Sequence, residues 1–440
     1  MPRSSSGRAI AGIPIRAAGM RCQGMKRNLI QKLIEWKDTT ERSPFLLTGR
    51  KGTGKTYLAC DFAKSFYDNY IYINFETSPE MRRIFGGLNP GEGESLTDRL
   101  CAYYEMPAEL LAAVPIILDE ITFCPELIAA LSAESCEMDF KGVFCLLLTS
   151  YRDELPEGLY EAFGAFCGEL RGLEFDEFLI ASGNEWYNDV IRGHYTAGKK
   201  IPEIVHNELL TLFEDYLIVG GMPAAVNEYL NMESTVNIPE QHRLLQGGCY
   251  AEIAGKYSDG DALKMRQVYE TAAAQLLKEN RKFQYRMIRK GATSTLYHTA
   301  IAALVGNGYL RTCPKMGDET QFKLYFPDVG MLHSQMALSV WEEENARKAL
   351  LENYVLNSLE NAGYHPCFWE SASQAKIDFL IEKDGAMIPV EVRPGDNTRT
   401  KSIGVYKKQS DFPYSIKISS RNFEKGEEIE YIPYYAVFCL

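Results

Sequence analysis

The chain has 440 residues, 46% of them hydrophobic and 24% charged, ordinary proportions for a globular protein of roughly two to four domains. A net charge of −12 excludes a polyanion-binding surface spread over the whole molecule and leaves only local basic patches for that role. No run of about 18 apolar residues occurs, which argues against a membrane span.

The first 24 residues carry Arg3, Arg8, Arg16 and Arg21, three consecutive serines and no acid. A transit peptide has this composition, and so does sequence read through from an upstream start, with Met20 or Met25 the true beginning. The second reading is preferred, because Met25-Lys26-Arg27 opens a pattern in which Leu29, Ile30, Leu33, Ile34 and Trp36 recur at helical spacing. Residues 1–24 are therefore expected to contribute nothing to the fold. The eleven cysteines are scattered, with no C-x-x-C pair and no histidines at zinc-ligand spacing. Free thiols in a reducing compartment, and hence the cytoplasm, are the expectation.

Residues 44–150 alternate short apolar runs with helical segments. Ser43-Pro44-Phe45-Leu46-Leu47 predicts a buried strand ending at Gly49, and helix signals run from Lys55 to Tyr67. Further strands are predicted at 70–75, 114–118 and 143–148, and a surface loop at 86–93. Strands alternating with helices predict a parallel sheet covered on both faces.

Between the first strand and its helix, Gly49-Arg50-Lys51-Gly52-Thr53-Gly54-Lys55-Thr56 matches G-x-x-x-x-G-K-[ST] at every fixed position. Glycines let backbone N–H groups turn inward around a phosphate, and the following helix aims its N-terminal dipole at the same anion. In this pattern Lys55 reaches the β- and γ-phosphates of ATP and the Thr56 hydroxyl binds Mg²⁺. Asp119-Glu120 ends the third apolar strand. Asp119 is assigned to the metal and Glu120 to general-base activation of water. The extra strand at 70–75, with Glu directly after Asp, fits the additional-strand class of P-loop ATPases. Thr149 and Ser150 follow the fourth strand as candidates for sensing the γ-phosphate, with a simple strand-end cap the equal alternative.

Residues 186–250 read as helical, interrupted at Gly220-Gly221-Met222-Pro223. Residues 262–312 are helical and short. Eleven Lys or Arg face four Asp or Glu between 255 and 315, a local excess of positive charge. Arg281, Lys282, Arg286, Arg289 and Lys290 precede Ala292–His298, the start of a helix that can present small polar residues to base edges while the basic ones anchor to phosphates. Ala300, Ile301, Leu304 and Val305 equally make it an ordinary amphipathic helix, so DNA and a protein partner both stand as occupants. Phe322–Phe326 predicts a strand. The tail from about 346 reads as a helix followed by strands at 377–382, 386–393, 414–419 and 430–438, an α/β unit.

Several segments together resemble the prokaryotic AAA-type predicted ATPases that carry a C-terminal domain of unknown function. They include Leu33-Ile34-Glu35-Trp36-Lys37, the phosphate loop, Ile73-Asn74-Phe75-Glu76, Leu118-Asp119-Glu120-Ile121, Leu173–Leu179, Gly220-Gly221-Met222-Pro223, Asp328-Val329-Gly330 and Glu352-Asn353-Tyr354-Val355. The resemblance covers nearly all of residues 25–440. It implies an α/β protein: an AAA-type P-loop parallel sheet at 25–185, a helical lid at 186–250, a winged-helix-like region at 251–345 and a restriction-endonuclease-like (PD-(D/E)XK) tail at 346–440. Relatives place a Gly-Arg pair where this chain has Gly164-Ala165. The nearest arginines are Arg152 and Arg171, so no arginine finger is assigned.

A nuclease of that fold holds Mg²⁺ with two carboxylates on adjacent strands and orients water with a lysine two residues after the second. Asp378 and Glu391 fall at those places, with Glu352 on the preceding helix. The lysine position is Arg393, which cannot act as a base, and Lys376 stands where relatives have an acid. A docking module without cleavage is therefore preferred. Three functions remain: an ATPase whose Mg·ATP cycle moves the lid and winged-helix-like region, a slow nucleotide-dependent switch docking DNA or protein, and an ATP-regulated nuclease. Neither the oligomeric state nor the partner is legible.

Overall fold

The computed structural model describes residues 25–39, 43–85, 96–131, 144–336, 343–371, 375–396 and 401–440. Segment 1–24 and the loop expected at 86–93 lie outside the described residues. By its contacts the chain divides into two compact units. One comprises residues up to Gly49 with Gly54–Leu170, and the other Arg50–Thr53 with Arg171–Leu440.

In the first unit the apolar runs become β1 (Phe45–Thr48), β2 (Ile71–Asn74), β3 (Ile116–Asp119) and β4 (Cys145–Thr149). A fifth strand, β5 (Cys167–Glu169), is too short and too polar to be predicted by pattern. All neighbours pair in parallel, in the order β2-β3-β4-β1-β5. The strand that separates β1 from β3 in space is thus β4, while 70–75 supplies the edge strand. Parallel neighbours need crossovers, so chain order and sheet order diverge.

Alternation along these strands builds two cores. Leu47, Ile117, Leu146 and Leu148 pack with Leu33 and Trp36 of the helix Ile30–Asp38 and with Leu58 and Phe62 of the helix Lys55–Phe66. Leu46, Ile73, Leu118 and Leu147 face the opposite side, against Phe75, Phe85, Leu100 and Leu127. Burial on both faces is why the strands read as unbroken apolar runs. Trp36 meets Phe45 and Phe144 edge-on at 5.8 and 5.6 Å, which ties the helix after Met25 to the sheet.

The second unit begins with helices, among them Phe175–Ala181, Glu203–Val219, Pro223–Met232, Ile238–Lys256 and Asp259–Leu276. The break at Gly220–Pro223 has a local cause. Gly220 ends one helix with φ +73°, a backbone setting that suits glycine, and Pro223 opens the next at its first turn. Leu173 N–H donates to Gly221 O at 2.7 Å, Gly221 N–H donates to Asp328 Oδ2 at 2.6 Å, and Met331 N–H donates to Asp328 Oδ1 at 2.8 Å. Three segments that stand apart in sequence thus meet. A Cβ on Gly221 would lie 2.0 Å from Leu173 O, so the approach admits only glycine.

Eight strands complete this unit: β6 (Arg311–Lys315), β7 (Asp318–Tyr325), β8 (Cys367–Glu370), β9 (Lys376–Lys383), β10 (Ala386–Val392), β11 (Ser415–Ser419), β12 (Glu424–Lys425) and β13 (Ile429–Pro433). They form one sheet in the order β12-β13-β11-β10-β9-β8-β6-β7. β9 and β10 are antiparallel, whereas β10/β11 and β11/β13 are parallel. The hairpin β6–β7 joins through β8, with Met316 N–H donating to Phe368 O at 2.8 Å. Arg311 and Thr312, the end of the stretch read as helical in sequence, instead open β6, where Pro314 sits at a register irregularity, a place that tolerates its missing N–H. The strand expected at 430–438 stops at Pro433. Tyr434–Cys439 is a 3₁₀ helix that buries Tyr434, Tyr435, Ala436 and Val437. A short unbroken apolar run does not reveal its own period.

Candidate functional site

β1 delivers the chain to Gly49, whose φ is +145° and where a Cβ would lie 2.2 Å from Leu170 O. Gly52 and Gly54 are left-handed at φ +85° and +95°, and the helix Lys55–Phe66 starts directly after. Thr53 closes the turn, its N–H and hydroxyl donating to Arg50 O at 3.3 and 2.9 Å. Lys51 is half-buried. Arg50 is buried in the second unit, where its guanidinium donates to Cys249 Sγ and lies 5.5 Å from the centre of the Tyr309 ring. The Lys55 ammonium is buried and donates to Gly49 O and to Ser150 Oγ, each at 2.8 Å.

The parallel register places Asn74 of β2 beside Asp119 of β3. Asp119 Oδ2 accepts from Thr56 Oγ1 at 2.7 Å, from Tyr72 OH at 2.8 Å and from Asn74 Nδ2 at 3.3 Å, while Oδ1 accepts the Glu120 N–H at 2.9 Å. A hydroxyl and a carboxylate at this separation are the hard oxygen donors that suit Mg²⁺, which keeps most of its remaining shell for phosphate and water. Among the described residues no group of three or more His, Cys, Asp or Glu is placed to hold a metal by protein ligands alone.

Glu120 takes a left-handed backbone at φ +53°, uncommon for a residue with a Cβ and a feature of strained functional positions. Its Oε2 accepts the Ser150 N–H at 2.9 Å, and its Oε1 accepts the Ser150 hydroxyl. Burial pushes the Glu120 carboxyl above the usual range, partly offset by Lys55 and by the Ser150 bonds. Ser150 is thus the junction, accepting from Lys55 and donating to Glu120. Thr149 is engaged elsewhere, its Oγ1 3.3 Å from Thr122 Oγ1 and accepting the Tyr151 N–H at 3.0 Å. The structure therefore brings Lys55, Thr56, Asp119, Glu120 and Ser150 together, and adds Tyr72 and Asn74. The alternation Ile71-Tyr72-Ile73-Asn74, two buried apolar residues alternating with two half-buried polar ones, is the signal that could have found them.

The four residues singled out in the tail are also placed within one unit. Glu352 lies on the helix Glu344–Asn361, Asp378 on β9, Glu391 on β10 and Arg393 just beyond it. Glu352 is fully buried, 3.3 Å from the Lys348 ammonium, 3.5 Å from Lys323 and 3.7 Å from Arg281, and its Oε2 accepts the Tyr325 hydroxyl at 3.0 Å. Lys348 also lies 3.1 Å from Asp378 Oδ1, whose other oxygen accepts the Val392 N–H at 2.9 Å. Glu391 pairs with Arg393 at 3.4 Å.

Of the five basic residues proposed to face DNA, two turn inward. Arg281 pairs with Glu352, and Lys282 donates to Glu370 at 2.9 Å and Gln321 at 3.0 Å. Arg286, Arg289 and Lys290 are exposed, as are Ser294, Thr295 and His298. Among the described residues no helix is long and apolar enough to cross a membrane.

Residues 41–179 match the family described as AAA domain. Residues 210–357 match Domain of unknown function (DUF8612), and residues 347–437 match Domain of unknown function (DUF4143). No curated protein matches the chain. The chain is similar to the Walker-type ATPase PABY2304 of Pyrococcus abyssi at 15% identity and a TM-score of 0.45, covering 72% of this chain and 97% of that one. It is also similar to Cdc6p of Pyrobaculum aerophilum at 14% identity and a TM-score of 0.25, covering 76% and 97%. For the Aeropyrum pernix ORC1 protein, solved in complex with DNA, the identity is 13%, the TM-score 0.31 and the coverage 70% and 90%. The chain thus carries an AAA-type domain over residues 41–179, followed by two domains of unknown function.

Proposed function

We propose that this chain binds Mg·ATP at Gly49–Thr56 and hydrolyses it. The observation that carries the reading is the contact of Thr56 Oγ1 with Asp119 Oδ2 at 2.7 Å beside the buried Lys55 ammonium. Backbone amides of the loop and the start of the Lys55–Phe66 helix hold the phosphates, and Lys55 neutralises the β- and γ-oxygens. Thr56 and Asp119 would hold Mg²⁺, which would supply positive charge against the phosphates. Glu120 takes a proton from the attacking water. A carboxyl raised by burial is a stronger base than an exposed one, which suits that task. A γ-phosphate competes with Ser150 for Lys55, so nucleotide loading rearranges the junction that also holds Glu120.

In this reading the ATP cycle acts on residues 171–440, with a lid at 186–250, a winged-helix-like region at 251–345 and a PD-(D/E)XK-like tail at 346–440, in a cytoplasmic protein. DNA at Arg286, Arg289 and Lys290, or a protein partner, would respond to the cycle. A second reading, a slow nucleotide-dependent switch, is favoured by one observation: both carboxylate oxygens of Glu120 are held by Ser150. Turnover of ATP by the purified protein, with and without double-stranded DNA, decides. Multiple turnovers per minute support the ATPase. Tight binding with less than one turnover per hour supports the switch. No binding overturns both.

A further inference from the structure

The tail presents the carboxylates that a metal-dependent nuclease would use, but the space between two of them is taken. Lys348 and Glu352 stand one turn apart on the helix Glu344–Asn361, and Asp378 faces them from β9. The Lys348 ammonium lies 3.3 Å from Glu352 Oε1 and 3.1 Å from Asp378 Oδ1, bridging the two. Glu352 is further surrounded by Arg281 and Lys323, so three positive side chains face two negative ones. The third carboxylate, Glu391, is fully buried and paired with Arg393. A divalent cation there would meet three cationic side chains at close range, where a low local dielectric strengthens repulsion. Mg²⁺ also demands an octahedral shell at ~2.0–2.1 Å, which an ammonium lodged between the two carboxylates denies it. The residues of the tail therefore do not fit the metal that the nuclease-like fold implies.

We propose that Lys348 permanently takes the place of that divalent cation, so that the tail's acidic cluster is neutralised without metal and without phosphodiester cleavage. The inference rests on the nuclease-like reading of the tail and is independent of the nucleotide site. Electrostatics agree with the geometry. Burial alone would raise the Glu352 pKa, yet Arg281, Lys323 and Lys348 together hold it well below the carboxylate range. Burial would lower Lys348, yet Asp378 and Glu352 keep it raised and charged. Both partners are therefore ionised, and an ammonium between two carboxylates needs no added ion.

The test uses the full chain without nucleotide and Mn²⁺ as the probe, followed by its electron paramagnetic resonance. Wild type and Asp378→Asn should bind the same number of Mn²⁺ equivalents. Lys348→Asp, which replaces the ammonium with a third carboxylate, should gain one equivalent, and that gain should vanish in Lys348→Asp with Asp378→Asn. At ten times its Kd, Mn²⁺ should raise the Tm of Lys348→Asp by roughly 3–6 °C and leave that of wild type unchanged. If Lys348→Asp unfolds without metal, Mn²⁺ should restore its circular dichroism. A Mn²⁺ equivalent in wild type that Asp378→Asn removes would overturn the proposal. So would a Lys348→Asp chain that neither gains an equivalent nor refolds with Mn²⁺. ATP binding by the same preparations reports the nucleotide site separately.

Discussion

Replacing Gly221 by alanine should damage the second unit far more than its single added methyl suggests. The new Cβ would lie 2.0 Å from Leu173 O and 2.6 Å from Leu173 N, so the two backbone segments must part by about 1.4 Å to reach van der Waals contact. At that displacement the bond from Leu173 N–H to Gly221 O, now 2.7 Å, and the bond from Gly221 N–H to Asp328 Oδ2, now 2.6 Å, are both lost. The first is worth about 1 kcal/mol and the second, made to a buried carboxylate, about 1.5–3 kcal/mol. Overpacking strain adds about 1–3 kcal/mol, for a total of roughly 3.5–7 kcal/mol. Thermal unfolding should then move down by roughly 10 °C or more. Gly247 provides the control, because it lies inside the helix Ile238–Lys256 and a Cβ added there would meet no atom within 4 Å. Gly247→Ala should stabilise by about 0.5–1 kcal/mol through helix propensity. A Gly221→Ala protein within about 1 kcal/mol of wild type would refute the steric reasoning.

Glu120→Gln should keep ATP bound while turnover falls by about 100-fold or more, the scale of a lost general base; turnover at the wild-type rate would remove Glu120 from the chemistry. Asp119→Asn should instead weaken the Mg²⁺ dependence of ATP affinity, read by titrating Mg²⁺ at fixed nucleotide. Stability should fall with acid through His242 and His333. Burial lowers the His242 pKa against the opposing charge of Asp328. Burial, then the charge of His242, pushes His333 down to about 4. Folded pKa values below the unfolded value of about 6.5 mean that the unfolded chain binds more protons between these limits, so stability is intact above about 6.5 and is lost as pH drops toward 4. His333→Gln should flatten that slope by up to about 2–3 kcal/mol in urea titrations at pH 7 and pH 4.5; an unchanged slope would exclude His333 as a cause.

The turn at Gly49–Thr56 is legible because its geometry is local: three glycines, one lysine and one threonine at fixed spacing define the turn and the helix start. Asp119 and Glu120 are legible for the same reason, since an acid pair closing an apolar strand needs no tertiary knowledge. Tyr72 and Asn74 are different, and so are the contacts of Ser150, which the sequence offered only as a candidate after the fourth strand. They reach the acids only through the register of β2 on β3 and through β4 lying between β1 and β3, and neither follows from local pattern. Lys348 and Glu352 illustrate the converse. In sequence they are an ordinary i, i+4 pair of the kind that covers exposed helices. Burial of Glu352 and the approach of Asp378 from β9 turn the same pair into the centre of a charge cluster. Counting charges likewise cannot separate Arg281, which is buried on Glu352, from Lys290, which is exposed. The Gly220-Gly221 break is readable as a helix end, but the need for glycine at 221, where a Cβ would lie 2.0 Å from Leu173 O, is visible only in three dimensions.

Binding of a fluorescent ATP analogue to the purified chain, compared with Lys55→Ala, probes the nucleotide site most directly. The ammonium bonds Gly49 O and Ser150 Oγ at 2.8 Å, so the variant's fold must first be matched to wild type by circular dichroism and Tm. Wild type should bind in a Mg²⁺-dependent manner, and Lys55→Ala should lose that binding entirely. Equal affinity in the two folded proteins would contradict the assignment of the site.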